Sequence, residues 1–258
     1  MLLTIDVGNT NTVLGLFDGE ELRDHWRLTT RREQTADEYG ILVRNLFSGS
    51  SLEPGSIDGV ALASVVPPLT PVLVELSRQF LEQEPLVVEP GDKTGMPILY
   101  SPRGEVGADR ILNGVGAYAR FGGPVVVVDF GTATTFAVIT KRGEYAGGVI
   151  CPGIGISADA LFHRAARLPR VDVRKPGQVV GRSTVASMQS GLYFGYAEMC
   201  EGIIGRIRSE LGEPVKAVAT GGLAETLSVE IPSIEAVDPV LTLTGLRLIW
   251  ERNRETPR

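Results

Sequence analysis

Cysteine and histidine are scarce: the chain carries two of each, Cys151 and Cys200, His25 and His163. The two cysteines lie far apart in the sequence, and with two histidines they cannot supply a Cys/His zinc cage or a disulfide framework. A reducing, cytoplasmic setting is therefore expected. No uninterrupted apolar stretch reaches membrane length, and no basic segment followed by an apolar run opens the chain, so neither a membrane nor a signal peptide is expected. An excess of positive charge is missing too. The formal net charge is -6, which lacks the basic footprint of a nucleic-acid binder. The Walker pattern Gly-x4-Gly-Lys-Ser/Thr is absent, excluding an ordinary P-loop kinase, and no Gly-x-Ser-x-Gly elbow suggests a serine hydrolase. What the chain does have is a globular balance of 43% hydrophobic and 22% charged residues, together with 31 glycines.

Those glycines fall into clusters that repeat. Residues 2 to 6 and 125 to 129 read as short buried strands, each ending in an aspartate. Gly8 to Thr12 follow the first and Gly131 to Thr135 the second, so Asp6/Asp129, Gly8/Gly131 and Thr12/Thr135 share one offset. Each copy continues as an apolar strand, a glycine turn and a third strand. Helices follow. Thr35-Ala-Asp-Glu38 is a capping box for a helix to about Phe47, and Thr70-Pro71 is expected to cap another. Val60 to Val66 and 215 to 220 read as strands; 156 to 166, 184 to 211 and 241 to 252 read as helices. The layout is a duplicated α/β unit with its boundary at Phe121-Gly122-Gly123-Pro124, giving halves 1–122 and 123–258.

A strand ending in Asp, then Gly and a hydroxyl-rich turn, gathers backbone N–H groups and threonine hydroxyls beside a carboxylate. Such a turn suits a phosphate and its metal, and it equally suits a plain tight β-turn. Val215 to Ala224 adds a third strand-to-helix turn, with Gly221 and Gly222 at its apex. The two Gly-x-Gly-x-x-Ala strings, at 114 to 119 and 153 to 158, read as packing or turn glycines. Asp109 opens an apolar run (Ile111, Leu112, Val115) where a carboxylate serves either as a helix cap or as a base. Arg110 is either a surface charge or a carboxylate partner. Gly191, Gly195, Gly202 and Gly205 interrupt the 184–211 helix, which suits either intramolecular packing or a subunit interface.

Asp6-Val-Gly-Asn-Thr10, Gly107-Ala-Asp-Arg110, Asp129-Phe-Gly-Thr-Ala-Thr134 and Thr220-Gly-Gly-Leu-Ala224 together resemble the ordered motifs of the type III pantothenate kinases. Gly147 to Gly153 and Gly181 to Gly191 are similar as well. Ser183 departs from the family, which commonly has Asn or Asp there. The resemblance implies a duplicated actin-like ATPase (ribonuclease H-like) fold of the α/β class, with two similar halves flanking a nucleotide cleft. It implies transfer of the γ-phosphoryl of ATP to the primary hydroxyl of pantothenate, at the start of coenzyme A biosynthesis. By the same resemblance Asp6, Val7, Gly8, Asn9, Thr10, Asn11, Thr12 and Val13, with Thr132, Gly221 and Gly222, bind ATP. Asp6 serves magnesium, directly or through water. Asp129 holds a monovalent cation, potassium or ammonium. Tyr100, Gly107, Ala108, Asp109, Arg110 and Thr184 surround pantothenate, and Asp109 is the general base. A homodimer is implied. The rival expectations are another small-molecule kinase of the same superfold and a non-catalytic accessory factor in transcription.

Overall fold

The computed structural model describes residues 1–50, 54–89 and 91–255. The first half lays down β1 (Leu2–Val7), β2 (Asn11–Asp18) and β3 (Glu21–Thr29), then α1 (Ala36–Gly49), β4 (Gly59–Ser64), α2 (Leu69–Phe80), β5 (Leu86–Val88) and α3 (Ala108–Phe121). The second lays down β6 (Val125–Phe130), β7 (Ala133–Ile139) and β8 (Tyr145–Pro152). It continues with α4 (Ile154–Arg164), α5 (Thr184–Leu211), β9 (Lys216–Thr220), α6 (Ala224–Ser228), β10 (Ile234–Val237) and α7 (Leu241–Glu255).

Each half builds one five-stranded sheet, ordered β3-β2-β1-β4-β5 and β8-β7-β6-β9-β10. Pairing is antiparallel between the first three strands and parallel for the last two in both. β1 and β6 have the same burial sequence, four buried residues, a partly exposed aspartate and a buried residue. The central strands read as unbroken apolar runs because both of their faces are covered, which defeats the polar alternation of a half-wet strand.

The register refines the repeat. Val7 pairs with Thr12, whereas Phe130 pairs with Thr134. The second turn is thus one residue shorter, 131–133 against 8–11, and Thr12 corresponds to Thr134. The expected match of Thr12 to Thr135 holds only in sequence count. Burial agrees with the correction: Thr12 and Thr134 are both 1% exposed, while Thr135 is partly exposed like Val13.

The capping box at α1 is present, with Glu38 N–H donating to Thr35 Oγ1 (3.3 Å) and Thr35 N–H to Glu38 Oε2 (2.8 Å). At α2 the expected cap is not found. The helix starts at Leu69 after Pro68, which makes no side-chain cap bond, and Thr70 and Pro71 lie in the first turn, where a missing N–H costs nothing. The short elements β5, α6 and β10 escape sequence periodicity because they are only three to five residues long.

By internal contacts the chain forms two compact units, Met1–Gly116 with the described residues from Leu241 on, and Ala117–Val240. The sequence division at 122 therefore leaves α7 with the first sheet in space. The cause is visible in its packing. Trp250 covers Gly59 of β4, Leu243 reaches Gly15 of β2, and Gly245 and Gly116 bring α7 and α3 together at the Leu112 and Leu241 carbonyls. Thr242 Oγ1 donates to Asn113 Oδ1 (2.7 Å) across the same crossing. One core joins β1, β2, β4, α1 and α2; the other joins β6, β7, β9, α4, α5 and α6.

Candidate functional site

In the first unit Asp6 lies at the penultimate position of β1, flanked by Val13 of β2 and Ala63 of β4, and is partly exposed. Val7 is fully buried, so its side chain belongs to the core. The turn then closes through Gly8 N–H to Asn11 O (2.9 Å), with Asn9 and Thr10 exposed at its tip. Val13 is back in the strand.

In the second unit Asp129 occupies the matching place, flanked by Thr135 and Thr220. Gly131 N–H donates to Ala133 O (3.1 Å), and Gly131 and Thr132 form the exposed tip. The Asp129 carboxylate fills the space between two glycines. Oδ1 stands 3.4 Å from where a Gly131 Cβ would be, and a Cβ on Gly221 would collide with that same oxygen. Gly221 also has φ +92°, a left-handed region that L side chains rarely adopt, so glycine is required there twice over. Gly222 follows it in the turn that leads from β9 towards α6.

Gly107-Ala-Asp-Arg110 forms the start of α3. Ile111 N–H reaches the Gly107 carbonyl (3.4 Å), so Gly107 precedes the first turn and Asp109 lies within that turn. Asp109 is thus not the cap residue. Its Oδ1 accepts the Arg110 N–H (2.9 Å), and the carboxylate folds back over Gly107, where any Cβ would collide with it. A residue with a Cβ at 107 would push the Asp109 carboxylate out of that place. Ala108 is buried, while Asp109 and Arg110 are half-buried. Arg110 Nη2 donates to Glu105 O (3.2 Å), which sets the direction of the guanidinium. Tyr100 is half-buried in the irregular segment before α3.

Thr184 is the first residue of α5, and Ser183 is its N-cap, with Ala186 N–H donating to Ser183 Oγ (3.2 Å). Ser, Asn and Asp are near-equivalent caps, so the departure at Ser183 keeps the same local chemistry. Thr184 lines a groove of about 780 Å³ with Leu161, Arg182, Met188 and Leu192. Further along α5, Gly191, Gly195, Gly202 and Gly205 are exposed, and nothing among the described residues stands within 4 Å of a Cβ built on any of them. Intramolecular packing does not explain these glycines.

A family model described as type III pantothenate kinase matches residues 2–206. A type III pantothenate kinase of Moorella thermoacetica is 55% identical over 98% of this chain and 100% of its own length. One from Myxococcus xanthus is also 55% identical, over 98% and 99%. The chain belongs to the type III pantothenate kinase family. Among solved structures, a conserved putative Baf family transcriptional activator from Campylobacter jejuni matches at TM-score 0.64 and 20% identity, covering 98% of this chain and 100% of its own. A putative 2-dehydro-3-deoxygalactonokinase from Sinorhizobium meliloti matches at 0.60 and 14%, covering 100% and 98%. At such identities these two speak for the fold alone, and the fold is the duplicated actin-like ATPase fold expected from the motifs.

Within the first unit the structure keeps Asp6 to Val13 in one strand-turn-strand and Gly107 to Arg110 in one helix start; within the second it joins Asp129, Gly131 and Gly221 at one point. His25 and His163 are both exposed, and His163 stands edge-on to the ring of Phe162 (5.0 Å between centroids). Among the described residues no group of three or more His, Cys, Asp or Glu is placed to hold a metal. The partly exposed carboxylate of Asp6 is an oxygen donor of the kind magnesium takes. No helix among the described residues is long and apolar enough to cross a membrane. Sequence reasoning passed over Thr30, whose hydroxyl hydrogen-bonds the Gly8–Thr12 turn. The available signal was a hydroxyl residue directly after the third strand.

Proposed function

We propose that these residues serve the reaction of the family, with Asp109 as the base that accepts the proton of the attacking pantothenate hydroxyl. As a family member the chain is an ATP-dependent pantothenate kinase of coenzyme A biosynthesis that uses a divalent metal. The observation that carries the assignment of Asp109 is its setting: a half-buried carboxylate in the first turn of α3, folded over a glycine and fixed by the Arg110 N–H. Such a group has a constant direction and one oxygen to spare. Arg110 beside it suits the pantothenate carboxylate, since a planar guanidinium pairs with a carboxylate through two parallel hydrogen bonds. Tyr100, Gly107, Ala108 and Thr184 complete the acceptor site in this proposal.

The ATP phosphates fall to Gly8–Val13 and Thr132, with Gly221 and Gly222 at the nucleotide. Glycine at these turns lets main-chain N–H groups come close to an anion. Magnesium would be held by Asp6 and a monovalent cation by Asp129; when bound, they offset the negative charge of the phosphates. We further infer a homodimer that uses the exposed glycine stripe of α5, and a cytoplasmic location, which the two free cysteines favour.

A coupled assay with ATP, magnesium and pantothenate, at fixed ionic strength in potassium, ammonium, sodium and tetramethylammonium salts, tests this. Turnover of pantothenate but not of sugars or acetate is expected, together with faster rates in potassium or ammonium that Asp129→Asn abolishes. Equal rates in all four salts would refute the cation role of Asp129, and absence of pantothenate turnover would refute the whole proposal.

A further inference from the structure

We infer that Thr30 is a positioning residue for nucleotide binding, a clamp that holds the Gly8–Thr12 turn in the shape its outward N–H groups need. The inference rests on Gly8–Val13 being the ATP loop. Thr30 stands one residue beyond β3 and holds the turn at three points. Its Oγ1 donates to Gly8 O (2.8 Å), its N–H donates to Thr10 O (3.0 Å), and its Oγ1 lies 3.0 Å from Thr12 Oγ1. With the Thr30 hydroxyl proton committed to Gly8 O, Thr12 is the donor of the third bond. In a trans peptide the carbonyl and the next N–H point in opposite directions. Drawing the Gly8 carbonyl towards Thr30 therefore aims the Asn9 N–H away from it, at the exposed tip of the turn.

The second half shows what the clamp replaces. By register, Thr29 pairs with Asn11 and Pro152 pairs with Ala133, so the counterpart of Thr30 is Gly153. There the main chain presses directly on the turn: a Cβ on Gly153 would collide with Thr132 O and lie 2.8 Å from Gly131 O. With no side chain at that place, Thr134 Oγ1 is buried without a hydrogen-bond partner among the described residues, whereas its counterpart Thr12 has one. The longer first turn is thus braced by a hydroxyl, and the shorter second turn by contact.

Thr30→Val keeps the shape of the side chain and removes the hydroxyl; Thr30→Ser restores the hydroxyl. Calorimetric titration with MgATP should show binding weakened about 10-fold in Thr30→Val, because the partly buried Gly8 carbonyl and the buried Thr12 hydroxyl lose their bond, and recovered in Thr30→Ser. The KM for pantothenate should not move in either variant. Thr30→Val with wild-type MgATP affinity overturns the inference. So does a loss of both ligands together that Thr30→Ser fails to recover, since that marks a merely structural role. Gly8→Val in the same titration separates this inference from its premise. If Gly8→Val loses MgATP affinity while Thr30→Val does not, only the clamp fails; if Gly8→Val binds MgATP like the wild type, the loop assignment fails and the clamp with it. Melting curves confirm that each protein titrated is folded.

Discussion

The first turn runs through residues 8–11 and is held from behind by a threonine, while the second runs through 131–133 and is backed by bare main chain at Gly153. Below the turns the two sheets agree strand for strand, down to the one partly exposed aspartate in β1 and β6. The difference teaches where a duplicated unit is free to change. A strand shifted by one residue exchanges its buried and exposed faces, so register is pinned by the core. A hairpin tip buries little and accepts a deletion.

The most severe break of the comparison lies at α3 and α7, which follow the fifth strand of each half. α3 has Asp109 in its first turn and α7 has no acidic residue there. Asp109→Asn should keep its melting temperature, since Asn also accepts the Arg110 N–H, and lose about 100- to 10,000-fold in kcat. A folded Asp109→Asn enzyme with normal turnover would leave the two helices functionally alike.

A milder test exchanges counterparts. Val7 pairs with Ser64 in the first sheet, and the position that follows Thr220 in the second is Gly221. Ser64 hydrogen-bonds Val66 locally, accepting its N–H (3.0 Å). Gly221→Ser should lower stability to urea by about 1–3 kcal/mol, from backbone strain and collision with Asp129. Ser64→Gly should cost at most about 1 kcal/mol. Equal costs for the two exchanges would mean that the turns are interchangeable after all.

The smallest effect concerns the cores. Only the second contains a cysteine, and burial pushes the Cys200 thiol from 9.0 up to about 12, with Cys151 adding to the rise. An unfolded chain ionises this thiol first. Between pH 9 and 12 it therefore binds fewer protons than the native protein, and stability falls as pH rises, by about 1.4 kcal/mol per unit. Below pH 9 the thiol is protonated in both states, so its contribution is fully present and does not vary with pH. Cys200→Ala should start less stable yet lose about 1.4 kcal/mol less between pH 8 and 10, as measured by urea unfolding at each pH. Parallel pH curves would show that the thiol is not held protonated by the fold.

Much of this was legible beforehand, for reasons that differ by element. The buried strands and the long helices carry periodicity over enough residues to be seen, and Asp6, Asp129 and the glycine turns stand at strand ends that punctuation marks. The one-residue deletion was not legible, because three matches in sequence hide a shift that only pairing to a neighbouring strand exposes. Thr70 looked like a cap because its residue type fits, but Leu69 already begins the helix after Pro68. Asp109 looked like a cap for the same reason, and Gly107 proved to precede it. Thr30 was invisible because its partners lie about twenty residues away along the chain.

The return of α7 to the first sheet also bears on synthesis. β1 is made before residues 117–240, yet the helix that covers β4 with Trp250 is made after them. Residues 117–240 form an unbroken stretch and have all their elements before α7 is made. The unit of residues 117–240 is therefore the first that can finish folding, and the nascent β1, β2 and β4 wait with an apolar face uncovered until α7 is made.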